Sequence, residues 1–380
     1  MAKKKILHII TRLEHGGTLS NILSLMEGLS KEYDVVLALG SFKTEKEKVE
    51  KSAGASGCRI VWLEEFRRNI SPLKDLNTLM DLIDLVLREN PYLVHTHTSK
   101  AGILGRAACA VTNFKNTVHT PHGHVFYGYF NPFVSSIFVL LERLAARFTK
   151  KIIVFSNAEK KDHLDRKIGQ DGKYVVIPNG IAPAPYLKEY DIAANKAELG
   201  IAPEKKVVGF AGRLEPIKGA DLFVKAIKQL SKERTDFTAV MAGTGSLEAA
   251  IKENAKEEIK TGVFKMLGHR EDLSEILAII DVFVMTSNNE GFGLAAVEAG
   301  LSNKPVVATR VGGLPEIIID KETGLLVPSG NVEALCFSIN KLLDDQNEAK
   351  RLGENGREKA LLYYSEEKML ERLKNLYENL

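Results

Sequence analysis

Asn289-Glu290-Gly291-Phe292-Gly293-Leu294-Ala295-Ala296-Val297-Glu298 is the stretch whose reading decides the fold. Directly before it, Asp281-Val282-Phe283-Val284-Met285-Thr286 is an apolar run of strand length, which reads as a buried β-strand. The Ala-rich segment after Gly293 reads as a helix. A strand, a glycine-punctuated turn and a helix in succession form the unit of an open α/β sheet. Ligands of such sheets bind at the carboxyl ends of the strands, where helix N-termini offer amides to anions. Glu290 stands ahead of the helix and Glu298 stands within it. Amides at a helix start suit a phosphate, and carboxylates beside them suit neutral hydroxyls. Together they point to a sugar nucleotide, with its diphosphate on the amides and its hydroxyls on Glu.

Working outward, the same strand–turn–helix alternation extends over the whole chain. On the amino-terminal side, 6–10 reads as a strand, followed by a loop ending in Gly16-Gly17 and a helix over 19–29 with Leu19, Ile22, Met26 and Leu29 on one face. Glycine lets backbone approach a phosphate closely, so this loop is a second candidate anion contact. Strands follow at 33–39, 58–63, 93–98, 117–120, 152–155 and 174–177, with helices over 72–90, 99–110 and 133–151. Past the Pro/Ala-rich Ala182-Pro183-Ala184-Pro185, which fits a linker, strands are expected at 206–210, 238–242, 263–267 and 306–309. Helices are expected at 331–343 and 347–362, with a last one starting after Ser365. This alternation argues for Rossmann-like parallel sheets, and the length of 380 residues argues for two of them.

Composition narrows the class. A hydrophobic content of 44% and a charged content of 27% are those of a globular protein with sizeable cores. A net charge of +3 gives no case for a nucleic-acid partner. Three scattered cysteines suit neither a disulfide framework nor a cysteine zinc site, and indicate a reducing cytoplasm. Lys3-Lys4-Lys5 runs into an apolar segment too short for a signal peptide. No apolar run reaches the ~18 residues of a spanning helix.

Two further constellations carry chemistry. Ala211-Gly212-Arg213-Leu214-Glu215-Pro216-Ile217-Lys218-Gly219 is a basic, glycine-bearing loop after a strand. It suits an oxyanion, with a guanidinium fork from Arg213 and a point charge from Lys218. Gly243-Thr244-Gly245 makes another backbone approach after the following strand. The second constellation is histidine-rich. Strand alternation puts His95 and His97 on one face, and His119, His122 and His124 follow nearby. Such a group can ligate a metal, although histidines near a polar cleft more often bond a substrate or the protein itself. No Asp-x-Asp pair occurs that would chelate a metal–diphosphate complex.

The run Glu290-Gly291-Phe292-Gly293-Leu294, then Glu298, Lys304-Pro305-Val306-Val307-Ala308-Thr309 and Gly312-Gly313-Leu314-Pro315-Glu316 resembles the donor site of retaining GT-B glycosyltransferases, glycosyltransferase family 4. Gly212-Arg213-Leu214 with Lys218-Gly219, and Pro178-Asn179-Gly180-Ile181, extend the resemblance to nearly the whole chain. It implies an α/β GT-B fold: an acceptor-side Rossmann-like domain over 1–181 with the terminal helix 365–380 packing back on it, and a nucleotide-sugar domain over 182–364, facing a central cleft. Arg213 and Lys218 would hold the donor diphosphate. Glu290 would contact the transferred sugar and Glu298 the ribose. Gly16, Gly17, Gly243, Gly268, Phe292, Gly293 and Leu294 would line the donor. The segment Val118-His119-Thr120-Pro121-His122-Gly123 selects His122, over His119 or His124, as the group reaching the transferred sugar. The resemblance implies no metal and no other cofactor. The sequence departs from the family where a glycine usually precedes the Lys-Pro. Here that position is Asn303, which tolerates the same left-handed backbone.

Phe126-Tyr127-Gly128-Tyr129-Phe130 and the helix after it, with Arg143, Arg147, Lys150 and Lys151, read either as a core helix with a solvated basic face or as contact with a lipid-linked acceptor at the inner face of an anionic membrane, and the two readings are compatible. The expected activity is retaining transfer of a hexosyl group from a nucleotide sugar, most readily a UDP-sugar, to a lipid-linked or saccharide acceptor in bacterial surface polysaccharide synthesis. The rival readings are a UDP-N-acetylglucosamine 2-epimerase-like isomerase, an inverting GT-B enzyme and a non-catalytic sugar-nucleotide module.

Overall fold

A computed structural model describes residues 3–12, 17–40, 49–50, 54, 57–123 and 132–380. The chain divides into two compact units, one of residues up to Gly180 together with Glu366–Leu380, the other Ile181–Ser365. Each is a parallel sheet with helices on its faces.

Among the described residues, the first unit holds β1 (Lys5–Ile10), β2 (Asp34–Gly40), β3 (Arg59–Leu63), β4 (Leu93–His97), β5 (Thr117–Thr120), β6 (Lys151–Val154) and β7 (Tyr174–Val176). Their order in the sheet is β3-β2-β1-β4-β5-β6-β7. β1 and β4 are buried along almost their whole length, because a parallel sheet covered on both faces takes continuous apolar strands. The terminal helix Glu366–Glu378 places Met369, Leu373 and Tyr377 in this unit's core beside Ile6, Val35 and Leu93.

One helix ends earlier than the sequence reading expects. The pattern over 133–151 carries no glycine or proline to stop it, yet the helix is Pro132–Arg147. Phe148 N–H bonds the Ala145 carbonyl at 3.1 Å and Thr149 Oγ1 donates to the same carbonyl at 2.9 Å, so a tightened last turn satisfies the helix end. Lys151 then enters β6 beside Val118.

The second unit holds β8 (Lys206–Ala211), β9 (Phe237–Ala242), β10 (Phe264–Gly268), β11 (Val282–Met285), β12 (Val306–Thr309) and β13 (Leu325–Val327), in the order β10-β9-β8-β11-β12-β13. Its core is apolar, built around Phe210, Phe223, Phe237, Phe264 and Leu335. Asn303 does hold the left-handed turn, with φ 61°, between the helix Leu294–Leu301 and β12.

Candidate active site

The strand order reverses between β8 and β11 in the second unit and between β1 and β4 in the first. A crevice opens above the carboxyl ends of strands at such a reversal, because the following helices leave in opposite directions. Lys218, Glu290, Gly293 and Glu298 lie on the elements that follow β8 and β11 at the second unit's reversal, and His122 follows β5 next to the first unit's, whereas Gly243 and Gly268 stand at the ends of β9 and β10, farther along the second sheet.

In the second unit, the loops after β8, β9, β11 and β12 are sewn together by backbone. The Asn288 amide bonds the Ile217 carbonyl at 2.8 Å, and Thr286 Oγ1 donates to the Gly219 carbonyl at 2.8 Å. A Cβ on Gly219 would lie 2.0 Å from the Thr286 carbonyl oxygen, so only glycine lets the β8 loop close on β11. This closure carries Lys218 to Glu290, with Nζ 2.5 Å from Oε2. Ser287 Oγ donates to the same oxygen at 3.2 Å. The Gly313 amide donates to the Glu290 carbonyl at 2.8 Å and fixes that residue's backbone.

Beside the pair, Gly293 adopts φ 101° and starts the helix Leu294–Leu301, whose first amides point out of the helix N-terminus. Arg213 is exposed on the β8 loop. Its neighbour Glu215 accepts from Ser246 Oγ at 2.6 Å and from the Ser246 amide at 3.1 Å, bonds that hold its carboxyl below the usual range. Gly243 meets the β8 loop closely, since a Cβ there would lie 1.9 Å from the Gly212 carbonyl oxygen, and its amide bonds the Gly268 carbonyl at the end of β10 at 2.6 Å.

Glu298 lies half-buried in the helix and accepts from Tyr186 Oη at 2.8 Å. Burial raises its pKa, and the tyrosine hydrogen bond opposes the rise. Sequence reading missed Tyr186, because a linker tyrosine carries no motif. Phe292, expected to line the donor, turns its ring inward, buried edge-on to Tyr364 at 5.5 Å. Only its backbone is left for that role.

In the first unit, strands β1 and β4 and the turn after β5 bring four imidazoles into contact. His8 pairs with His95 across the β1–β4 register. His97 Nε2 lies 2.9 Å from His8 Nδ1, and His97 Nδ1 lies 2.8 Å from His122 Nε2. The His95 ring lies tilted against that of His97, with centroids 4.1 Å apart, and is held by Tyr377 Oη at 2.6 Å and Thr120 Oγ1 at 2.8 Å. Burial drives all four towards the neutral form, with His122 lowered to about 4 and His8 to about 3.

The turns that hold this group are strained. Thr98 and His122 adopt φ of 62° and 55°, a left-handed backbone that is costly for a β-branched residue. Glu159 braces the turn from behind. It accepts from the Phe155 amide at 2.8 Å, and Phe155 sets its ring edge-on to His122 at 5.4 Å. Burial raises the Glu159 pKa to about 7 against the pull of the Phe155 and Gly123 amides.

His119 points away from this group. It bonds Thr96 Oγ1 at 3.0 Å beside the buried Arg106–Glu142 ion pair, which makes it a structural residue. His124 and Gly16 lie outside the described residues. Gly17 is the first residue of the helix Gly17–Ser30. His8, His95 and His97 bring ligand atoms within 4.8 Å of one another, a spacing a metal ion can bridge, and sequence reading did not contain this set because His8 joins it only through strand register.

The helix Pro132–Arg147 carries Phe133, Ile137, Leu140 and Leu144 as an exposed apolar row, with Arg143 and Arg147 on the same element. No described helix is long and apolar enough to cross a membrane.

Comparison with known proteins agrees with this layout. Residues 15–184 match glycosyltransferase family 4, and residues 191–359 match glycosyl transferases group 1. A UDP-Gal:alpha-D-GlcNAc-diphosphoundecaprenol alpha-1,3-galactosyltransferase of Escherichia coli is 30% identical over 318 residues, which cover 82% of this chain and 81% of the relative. The capsular polysaccharide biosynthesis glycosyltransferase CapM of Staphylococcus aureus is 24% identical over 99% of this chain and 97% of its own. The crystal structure of Anabaena Alr3699/HepE in complex with UDP and glucose has the same fold, with a TM-score of 0.84 at 22% identity over 99% of this chain and 100% of that one. The two doubly wound units give the GT-B fold, and the two family matches together make the chain a glycosyltransferase of that class. Within that class, the chain belongs to glycosyltransferase family 4.

Proposed function

We propose that the protein transfers a hexosyl residue from a UDP-sugar to a lipid-linked acceptor of bacterial surface polysaccharide synthesis, with retention of the anomeric configuration and without a catalytic metal. The donor and acceptor classes follow those named for the Escherichia coli relative. The observation that carries the proposal is the Lys218–Glu290 contact of 2.5 Å at the β8/β11 reversal, beside the amides that follow Gly293. A diphosphate entering there competes with Glu290 for the ammonium. Once Lys218 turns to phosphate, the Glu290 carboxylate is released to accept from hydroxyls of the transferred sugar.

Lys218 and Arg213 then stabilise the charge that develops as the nucleoside diphosphate departs, the task a metal ion performs elsewhere. Glu298 accepts from the ribose, with Tyr186 keeping the carboxylate oriented. His122 bonds the transferred sugar. No carboxylate is assigned as a covalent nucleophile. The acceptor attacks from the face the diphosphate leaves, and a donor phosphate oxygen takes its proton.

Ligand-induced thermal shifts with UDP, GDP, ADP and their sugar conjugates, with and without EDTA, test the donor half. A rise with the UDP series that survives EDTA and disappears in Lys218→Ala supports the reading. No rise with any nucleotide overturns it. Glu290→Ala is expected to slow turnover by about 2–4 kcal/mol in barrier, and an unchanged rate removes Glu290 from the mechanism. Retention is read from the anomeric proton of the product by NMR.

The exposed row on the helix Pro132–Arg147, with its arginines, serves peripheral contact with anionic lipid. Sedimentation with phosphatidylglycerol vesicles but not phosphatidylcholine vesicles, weakened by Leu140→Asp, is the expected result. Equal recovery with both lipids dismisses the contact.

A further inference from the structure

The imidazole chain His8–His97–His122 has a direction. A neutral imidazole carries one N–H, and with His8 and His97 0% and 1% exposed and no carboxylate paired with His8, His97 or His122 among the described residues, nothing at hand compensates a buried charge on the chain, so the three rings are neutral. Two ring-to-ring contacts, His8 Nδ1 to His97 Nε2 at 2.9 Å and His97 Nδ1 to His122 Nε2 at 2.8 Å, must then share the protons of three rings. His97 donates through one nitrogen and accepts through the other, so both bonds point the same way and only two arrangements exist.

In the outward arrangement, His8 Nδ1–H donates to His97, His97 Nδ1–H donates to His122 Nε2, and His122 carries its proton on Nδ1. In the inward arrangement every bond reverses and the last proton sits on His8 Nε2. That atom is fully buried and has no partner among the described residues. A buried N–H without an acceptor is costlier than a buried lone pair without a donor, so the dead end of the chain selects the outward arrangement. The rest of the group cannot relieve it, because both nitrogens of His95 are engaged by Tyr377 and Thr120.

We propose that His97 and His8 are positioning residues that fix His122 as an Nδ1–H donor, so that His122 binds an oxygen acceptor, a sugar hydroxyl or a phosphate oxygen, and does not itself act as a base. The inference rests on the role given to His122 above. The strained φ of Thr98 and His122 at the ends of β4 and β5 is consistent with a structure that tolerates backbone cost to bring these rings into line.

Long-range 1H–15N spectra of the full chain labelled with 15N-histidine read the tautomers directly. His97 and His122 are expected protonated on Nδ1 and bare on Nε2. His97→Asn, whose amide N–H stands where Nδ1–H stood, is expected to keep the His122 tautomer and hold kcat within about threefold, whereas His97→Leu lets the tautomer relax and lowers kcat about tenfold with little change in KM. A proton on His122 Nε2 in the wild-type chain overturns the proposal whatever the activities. So does a stoichiometric divalent ion retained by His8, His95 and His97 and removed by EDTA with a change in those three resonances. A fully active His122→Ala combined with the expected tautomer instead removes His122 from the reaction and leaves its fixed proton standing, so the two failures are told apart.

Discussion

The two units solve one problem with opposite materials. Each is a parallel sheet whose order reverses at a pair of central strands, and each gathers its candidate residues above that reversal. In the second unit the site is made by backbone. Glycines at 219, 243 and 312 let loops approach so closely that a Cβ would meet a carbonyl oxygen at 2.0, 1.9 and 2.0 Å, and one ion pair supplies the charge. In the first unit the site is made by side chains rooted inside the sheet. His8, His95 and His97 are strand residues, and His122 is placed by its contact with them. Backbone sites depend on what is missing at Cβ. Imidazole sites depend on burial, which keeps every ring neutral. The first kind is sensitive to side-chain bulk and the second to protons.

The largest expected effect follows from that sensitivity to protons. The native pKa values of His8, His95, His97, His119 and His122 are all lowered by burial from 6.5, to about 3 for His8 and about 4 for His122. Below pH 6.5 the unfolded chain binds protons that the native unit refuses, so stability is lost as pH falls, by up to about 1.4 kcal/mol per pH unit for each ring. Glu159 has the opposite sign. Its native pKa of about 7 lies above the usual 4.5, so its contribution to stability grows as pH falls from 7 towards 4.5. Five rings outweigh one carboxyl. Trp62, the one tryptophan of the chain, lies in β3 of the first unit. Urea unfolding followed by its fluorescence should therefore show a midpoint dropping steeply between pH 6.5 and 5. A flat profile would mean that the rings are charged or solvated in the native state, and the contrast between the units would collapse.

Glycine substitution gives the reciprocal test. Gly243→Ala forces a methyl group onto the Gly212 carbonyl at φ 138°, and the second unit is expected to lose about 3 kcal/mol. Gly123 has φ 92°, but its Cβ position has no described atom within 4 Å, so Gly123→Ala should cost only the backbone term of about 1 kcal/mol. Thermal unfolding of the two variants measures both. Equal losses would show that packing around Gly243 relaxes and that backbone approach is not what builds the second site.

The same contrast explains what could be read in advance. The strand–turn–helix part of the second site was legible because it is local, whereas the meeting of Lys218 with Glu290, 72 residues apart, was not. Glu290, Gly293 and Glu298 are a few residues apart on one strand–turn–helix unit, and a glycine required at a turn shows in the sequence itself. The buried strands were legible as continuous apolar runs. The first site was only half legible. Alternation alone puts His95 beside His97, but the arrival of His8 depends on the β1–β4 register, and that of Tyr377 on a helix docking nearly the whole chain away. Tyr186 was hidden for the same reason, since its bond to Glu298 is a tertiary contact. The early end of the helix at Arg147 left no mark because a threonine hydroxyl and a tightened turn finish it where glycine or proline would have been visible.

The smallest effect tests whether the second unit's turns obey the backbone rule even where the residue is not glycine. Asn303 sits at φ 61°, with its amide bonded to the Gly300 carbonyl at 2.8 Å and the Lys304 amide bonded to the Ala299 carbonyl at 2.9 Å. Its side-chain Oδ1 is buried without a partner among the described residues, so that oxygen contributes no hydrogen bond there. Asn303→Gly relieves both the left-handed strain and the unpaired oxygen, while the freer unfolded chain takes back part of the gain. The net expectation is a stabilisation of no more than about 0.5 kcal/mol. Asn303→Ala keeps the strain and loses asparagine's tolerance for it, at a cost of about 1 kcal/mol. The order Gly, Asn, Ala in unfolding midpoint is the signature of a position chosen for its backbone. If alanine instead matches asparagine, the turn can be reached without a left-handed residue, and the closeness of Gly353 to the Asn303 carbonyl, 2.4 Å for an added Cβ, becomes the better account of why the chain bends there.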